Sequence, residues 1–390
     1  IEGLKRLEYR GYDSAGVAIM NGKGVETRKA AGKIMKLEQA IAEDPPHGTL
    51  GIAHTRWATH GPPTTNNAHP HRSHNGRIAV VHNGIIENAT VLKRSLEERG
   101  FVFRSDTDTE VLAHLIEAAY TGDLEAAVIE ALWQVDGTYG IAVICADEPD
   151  KIVAARKGSP LLIGLGDGEY YLASDASAVL SHTREVIYLD DDEVAVLTRD
   201  GYRILDLEAE AQEKAVSRID WDLAQIERGG YPHFMLKEIF EQPTTVTDTM
   251  RGRLLVDEGF SKLGGINILK DDLVAVDNII ITACGTSWHS ALIGKLMIEE
   301  LCRIPVAVEY ASEFRYRNPI VRPNTLCMVI SQSGETADTL AAMREAKRRG
   351  ARTMGLVNVV GSTIARESDG GIYLHAGPEI GVASTKAFTS

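Results

Sequence analysis

The sequence predicts two architectures in series: stacked sheets with helices outside, then a parallel sheet wrapped by crossover helices. Three observations carry this. Short apolar runs broken by Gly, Asn and Asp fill residues 1–210. A charged and then irregular stretch, 211–240, reads as a linker. Beyond about residue 275 the rhythm becomes apolar strand, loop and helical pattern, which places the second domain within 241–390.

In the first part, strands are expected over Ala15–Met20, Leu50–Ala53, Ile78–Val81, Tyr139–Cys145, Ile152–Ala155, Leu161–Leu165 and Glu193–Leu197. Asn21-Gly22 is a hairpin signal. Two helices interrupt the strands. Thr107-Asp-Thr-Glu110 has the spacing of a capping box leading into Val111–Tyr120, and a second helix is expected over Leu124–Val135. In the second part the strands are Asn278–Ala283, Val306–Glu309, Thr325–Ile330, Thr353–Asn358 and Ile372–His375. Helical patterns follow at least the first and third, so the sheet is parallel and its ligands belong at the carboxyl ends of its strands.

Bulk properties narrow the function. A chain of 390 residues suits two domains. A net charge of -14 speaks against general binding to nucleic acid or anionic membranes, while leaving room for a local basic site. No apolar run reaches the roughly 18 residues of a membrane span, and no signal peptide is legible. Cys145, Cys284, Cys302 and Cys327 form no C-x-x-C pair and lie in or beside apolar runs. They read as buried free thiols of a reducing, cytoplasmic compartment, not as metal ligands. The chain opens inside an apolar-periodic helix without an initiator methionine and closes in another helical pattern. The expectation is therefore a protein that continues in both directions.

Two loops of the second part carry chemistry. Cys284-Gly-Thr-Ser-Trp288 and Ser331-Gln-Ser-Gly-Glu-Thr336 each lie between a strand and a helix. Helix N-termini with small hydroxyl residues suit a phosphate that is held, not transferred. Neither loop has the Gly-Lys-Ser/Thr of a P-loop. Ordinary helix capping is the plainer reading of one such loop, but two in equivalent positions favour a phosphate.

In the first part, three segments are dense in polar groups: His54-Thr-Arg-Trp-Ala-Thr-His-Gly61, Val80-Val-His-Asn-Gly-Ile-Ile86 and Thr107-Asp-Thr-Glu110. A free amino acid needs a cation for its carboxylate and an anion for its ammonium, roles that Arg56 and Asp108 can fill. Asn83 and Gly84, after a buried strand, can offer an amide and an N–H to a developing oxyanion. The plainer readings are a structural Arg56, a helix-capping Asp108 and a core Trp57. His54, His60 and His82 match no common metal spacing and are expected to be structural or pocket-lining.

The second-part motifs, with Glu379-Ile-Gly-Val-Ala-Ser-Thr-Lys386, resemble the SIS (sugar isomerase) domain of phosphosugar-binding proteins. The first-part motifs, with Leu7-Glu-Tyr-Arg-Gly-Tyr-Asp-Ser-Ala-Gly16, resemble the glutaminase domain of class II amidotransferases. In combination and order they resemble the glucosamine-6-phosphate synthase (glutamine–fructose-6-phosphate transaminase) family. The resemblance implies a four-layer N-terminal-nucleophile sandwich followed by a doubly wound SIS domain. It implies glutamine binding by Arg10, Arg56, Trp57, Thr59, His60, Gly84 and Asp108, with Asn83 and Gly84 as oxyanion donors. It implies phosphate binding by Thr286, Ser287, Ser331, Gln332, Ser333 and Thr336, with Val382, Ala383 and Ser384 lining the sugar. The implied reaction forms glucosamine 6-phosphate and glutamate from fructose 6-phosphate and glutamine, without metal or organic cofactor, in a homodimer paired through SIS domains.

The family's nucleophile is an N-terminal cysteine whose own amine is the base. Position 1 here is Ile1, so the cysteine segment, a second SIS domain and the C-terminal tail are expected to lie outside this chain, which by itself should hydrolyse no glutamine. Two rivals stand beside this reading: an amidotransferase or deglycase for another sugar phosphate, and a non-catalytic sugar-phosphate sensor.

Overall fold

The first helix and hairpin form where local sequence demands them. Helix α1 (Glu2–Leu7) is followed by β1 (Ser14–Asn21) and β2 (Gly24–Ala31), joined at Asn21-Gly22 and paired from Ser14↔Ala31 to Asn21↔Gly24. In this computed structural model, residues 1–8, 11–57, 61–219 and 228–390 are described. The chain divides into two compact units, Ile1–Asp220 and Trp221–Ser390.

In the first unit, α2 (Ile34–Glu43) and β3 (Leu50–Arg56) follow, and β3 pairs with β1. Next come β4 (His71–Arg72), β5 (Ile78–Ile86), α3 (Ala89–Glu98), α4 (Thr109–Ala119), α5 (Leu124–Leu132), β6 (Gly137–Cys145) and β7 (Glu148–Lys157). The unit ends with β8 (Leu162–Leu165), β9 (Tyr170–Ala173), β10 (Glu185–Tyr188), β11 (Glu193–Thr198), β12 (Gly201–Asp206) and β13 (Ser217–Arg218). One six-stranded sheet runs β12-β11-β7-β6-β5-β4; two smaller sheets run β2-β1-β3 and β13-β10-β8-β9.

The cores fall into four layers because strands β5, β6, β7 and β11 of the large sheet are apolar on both faces. Val80, Tyr139, Ile141, Val143 and Val153 pack on Leu96, Leu112, Ile116 and Val128 of α3, α4 and α5. On the other face, Ala79, Val81 and Ile144 meet Ala18, Met20 and Ile52 of the first small sheet. Ala154, Ala195 and Leu197 meet Leu161, Ile163 and Ile187 beside and within the second. Leu4 of α1 and Ile34 and Leu37 of α2 cover the outer side of β1. The order is helix, sheet, sheet, helix: the four-layer sandwich that the resemblance implies.

The second unit opens with α6 (Phe234–Met250) and a short hairpin, β14 (Leu254–Leu255) with β15 (Phe260–Ser261). It continues through α7 (Lys270–Ala275), β16 (Asn278–Ala283), α8 (Gly285–Cys302), β17 (Val306–Tyr310), α9 (Ala311–Tyr316) and β18 (Thr325–Ser331). Helix α10 (Ala337–Arg348), β19 (Arg352–Val357), α11 (Thr363–Glu367), β20 (Gly370–Tyr373) and α12 (Lys386–Thr389) complete it. The sheet is parallel throughout, in the order β17-β16-β18-β19-β20. Phe314, Leu340, Met343 and Ile364 cover one face; Leu269, Ala291 and Ile298 cover the other. Strand order reverses at β16, so the crevice between the ends of β16 and β18 is the topological switch point.

Several expectations need correction. Helices α2 and α3 and strands β9, β10 and β12 were not legible, and β2 was signalled only by its hairpin turn. β2 buries only Val25 fully and α3 only Leu96, so neither has a strong apolar period. The second expected helix ends at Leu132, not Val135. Within the stretch read as a linker, β13 pairs with β10 and α6 begins at Phe234. Cys145 and Cys327 are buried, but Cys284 is half-buried and Cys302 is exposed at the end of α8. That helix also exposes Ile293, Leu296, Met297 and Leu301. Among the described residues, no helix is long and apolar enough to cross a membrane.

Phe314 is fully buried between α10 and the sheet. Phe314→Ala should cost about 3–5 kcal/mol, read as a lower denaturant midpoint for the second unit; a loss under about 1 kcal/mol would contradict this packing.

Candidate functional site

A cavity of about 620 Å³ lies over β5, β6 and β7 of the large sheet in the first unit, a volume typical of small-molecule clefts. Arg56, Trp57, Asn83, Gly84 and Asp108 all line it. Of the remaining glutamine-site expectations, Arg10, Thr59 and His60 lie outside the described residues. The cavity also runs along β3 and β9, each the outermost strand of its sheet.

Arg56 ends β3 and is 4% exposed. Its guanidinium donates to the carbonyls of Gly61 at 3.3 Å and Pro62 at 3.4 Å. Burial lowers its pKa, and the nearby carboxylates of Asp13 and Asp108 oppose that shift. Arginine stays charged here. Asp108 is equally withdrawn, at 7% exposure. A buried cation and a buried anion thus face one cavity, the charge pattern of a free amino acid.

The capping-box expectation is corrected. Helix α4 begins at Thr109; Asp108 occupies its N-cap position but makes no side-chain cap. Instead Asp108 Oδ2 accepts the Ile86 N–H at 2.9 Å, tying α4 to the end of β5. Glu110 accepts the backbone N–H groups of Arg104 and Ser105 and the Ser105 hydroxyl. These carboxylates organise neighbouring loops because those donors are buried and need partners.

Asn83 and Gly84 lie in β5, opposite Gly140 and Tyr139 of β6. Gly84 has φ +145°, and a Cβ there would stand 2.1 Å from the Thr138 carbonyl oxygen. No other residue fits. The His82 ring braces this corner, with Nδ1 3.0 Å from Thr109 Oγ1 and Nε2 3.2 Å from the Thr138 carbonyl. His69 stacks on His54 at 4.4 Å and meets His71 edge-on at 4.8 Å. His69 Nε2 reaches Thr109 Oγ1, and His71 Nε2 reaches Thr107 Oγ1. Sequence reasoning missed His69, His71, Thr109 and Thr138. The run His69-Pro-His71 was a visible signal.

In the second unit, parallel register sets Ala283 beside Ile330, so the two hydroxyl-rich loops emerge side by side at the switch point. Thr286 and Ser287 occupy the first turn of α8. Cys284, its N-cap residue, supplies no side-chain cap. Ser331 Oγ accepts the Gly334 N–H at 3.0 Å and shares a hydrogen bond of 3.0 Å with Thr336 Oγ1. Ser333 Oγ accepts the Glu335 N–H. Gln332 is half-buried. The Thr339 hydroxyl donates to Cys284 Sγ at 3.8 Å, linking the loops. Val382 and Ala383 are exposed, and Ser384 donates to Glu379 at 2.6 Å. Sequence reasoning missed the carboxylates of Glu379 and Glu238 that hold this last segment; an isolated Glu238 on a helix carries no distinguishing signal.

Residues 54–181 match the family described as glutamine amidotransferase domain, and residues 272–390 match the SIS domain. The whole chain is 57% identical to the glutamine–fructose-6-phosphate aminotransferase [isomerizing] of Chlorobaculum tepidum. It is 53% identical to the proteins of the same name from Clostridium tetani and Thermus thermophilus. It spans 64% of the length of each.

The histidine cluster predicts a pH dependence. Burial first, then His82 and Arg56, lower the His54 pKa to about 3. Burial likewise holds His69 and His71 well below their ordinary value. The unfolded chain takes up these protons near pH 6.5 while the folded chain does not. Stability therefore falls as pH drops below about 6.5, by up to about 1.4 kcal/mol per pH unit for each ring. NMR titration should show no His54 transition between about pH 8 and 5; a midpoint near 6 would contradict the burial argument.

Proposed function

We propose that this chain, which belongs to the glutamine–fructose-6-phosphate aminotransferase family, holds glutamine in its first unit and fructose 6-phosphate in its second, within an enzyme forming glucosamine 6-phosphate and glutamate. The observation that carries the reading is the pairing of two sites in one chain. The buried side chains of Arg56 and Asp108 line one cavity, and two hydroxyl-rich loops meet at a parallel-sheet switch point.

In this reading Arg56 binds the α-carboxylate of glutamine and Asp108 its ammonium group. The side-chain amide then points toward Asn83 and Gly84. A cysteine thiolate, borne on a strand entering between β3 and β9, attacks the amide carbon. Asn83 Nδ2 and the Gly84 N–H receive the charge that gathers on the amide oxygen. The cysteine's own amine, having taken the thiol proton, passes it to the amide nitrogen; collapse then expels ammonia, and water releases glutamate from the thioester. The support for this placement is that β3 and β9 are both outermost strands lining the same cavity. Cys145 is a poor candidate: it is fully buried in the core beneath the helical layer.

The sugar phosphate docks with its phosphate on the first turn of α8 and on the Ser331–Thr336 loop. Helix N-terminal N–H groups and hydroxyl hydrogens supply the donors. Thr286, Ser287, Ser331, Gln332, Ser333 and Thr336 hold the phosphate; Val382, Ala383 and Ser384 line the sugar. Ammonia from the first site becomes the amine of the product. The reading uses no metal or cofactor. It includes a homodimer through SIS domains, favoured by the apolar face that α8 leaves exposed, and a cytoplasmic location, favoured by the four free cysteines.

Two measurements test it. L-Glutamate should raise the melting temperature of the chain, and Arg56→Ala should weaken that binding by about tenfold or more; an undiminished response in the variant would remove Arg56 from the site. Fructose 6-phosphate should also stabilise the chain, and Ser333→Ala with Thr336→Ala should abolish the effect. Equal stabilisation of the double variant would sink the phosphate assignment.

A further inference from the structure

Segment 374–387 leaves the sheet at the same edge as the hydroxyl-rich loops, because β20 runs parallel to β19 and β18. Its tip has little apolar anchorage, since Val382 is 76% exposed. Two carboxylates hold it instead. Glu238 of α6, 2% exposed, accepts the Ile380 N–H at 2.6 Å and the Gly381 N–H at 3.0 Å. Glu379, 8% exposed, accepts the N–H groups of Thr385 at 2.8 Å and Ala387 at 3.2 Å, and the Ser384 hydroxyl at 2.6 Å. Lys386, 3% exposed, pairs with Glu241 of α6 at 2.7 Å. A Cβ at position 381 would stand 2.5 Å from Glu238 Oε2, so a side chain there would push that carboxylate aside.

Withdrawing two carboxylates from water is costly, and an apolar staple would secure a loop at least as well. What saturated carboxylates add is geometry: each oxygen fixes particular donors at hydrogen-bond distance. Here the fixed donors lie on both sides of Val382, Ala383 and Ser384.

We propose that Glu238 and Glu379 are positioning residues for sugar recognition, fixing the main chain of 380–385 so that Val382, Ala383 and Ser384 meet the sugar while the phosphate is held separately. The inference rests on the sugar-phosphate reading above. Labour is divided: affinity for phosphate belongs to the loops after β16 and β18, and discrimination of the sugar belongs to the carboxylate-held loop.

The test is calorimetric titration of the full chain with fructose 6-phosphate and, separately, with inorganic phosphate. In Glu238→Gln or Glu379→Gln, one acceptor oxygen becomes a donor facing other donors. The Kd for fructose 6-phosphate should rise about tenfold or more, as expected for the loss of a charge-assisted hydrogen bond. The Kd for inorganic phosphate should stay within about twofold, because those contacts are made elsewhere. Gly381→Ala displaces Glu238 without changing charge and should give the same split, so the test survives a Glu238→Gln chain that fails to fold. Equal weakening of both ligands, or no change in either, overturns the inference and leaves the two glutamates purely structural. A wild-type chain that binds neither ligand overturns the sugar-phosphate reading itself.

Discussion

A carboxylate withdrawn from water must have its oxygens saturated with donors, and both units are organised around that demand. Asp108 takes the N–H of Ile86 and so joins a helix start to a strand end. Glu110 gathers the loop before its own helix. Glu238 and Glu379 hold the segment after β20. In each case the donor is a backbone N–H that no sheet or helix would otherwise satisfy. The buried acids therefore do for the loops what hydrogen-bond ladders do for the strands.

This constraint explains why the sites stand where they do. The central strands of the six-stranded sheet are apolar on both faces over most of their length, so polar chemistry gathers where that pattern breaks, at His82–Gly84 of β5 and beside it. There Arg56, Gly84 and Asp108 converge from β3, β5 and the start of α4. In the parallel sheet the same logic leaves the carboxyl edge as the polar rim, and the reversal at β16 opens the crevice between neighbouring loops. Water-poor surroundings make each remaining polar contact at these rims stronger and more directional.

Much of this was legible in the sequence, for physical reasons that differ by region. The central strands β16 and β18 of the parallel sheet are near-continuous apolar runs, and Asn278–Ala283 is recovered to the residue. The loops beside them announce themselves by clustered hydroxyls and glycine. Edge elements such as β2, with one fully buried residue, carry no comparable pattern. The meaning of Thr107-Asp-Thr-Glu110 was hidden for another reason. Its spacing fits a capping box, but long-range partners at Ile86 and His71 claim the side chains of Asp108 and Thr107. Tertiary contacts decide which of several satisfying partners a polar side chain takes, and local sequence does not encode them.

Helix α8 begins at the switch-point crevice with Thr286 and Ser287 and ends at Cys302, the exposed member of four free cysteines. Its 18 residues span roughly 27 Å at a rise of about 1.5 Å per residue. Cys145 and Cys327 are sealed in cores and Cys284 is half-covered. A chemically addressable thiol thus stands at the far end of a helix whose near end borders that crevice. A label attached there would stand about one helix length, roughly 27 Å, from the hydroxyl groups of the crevice.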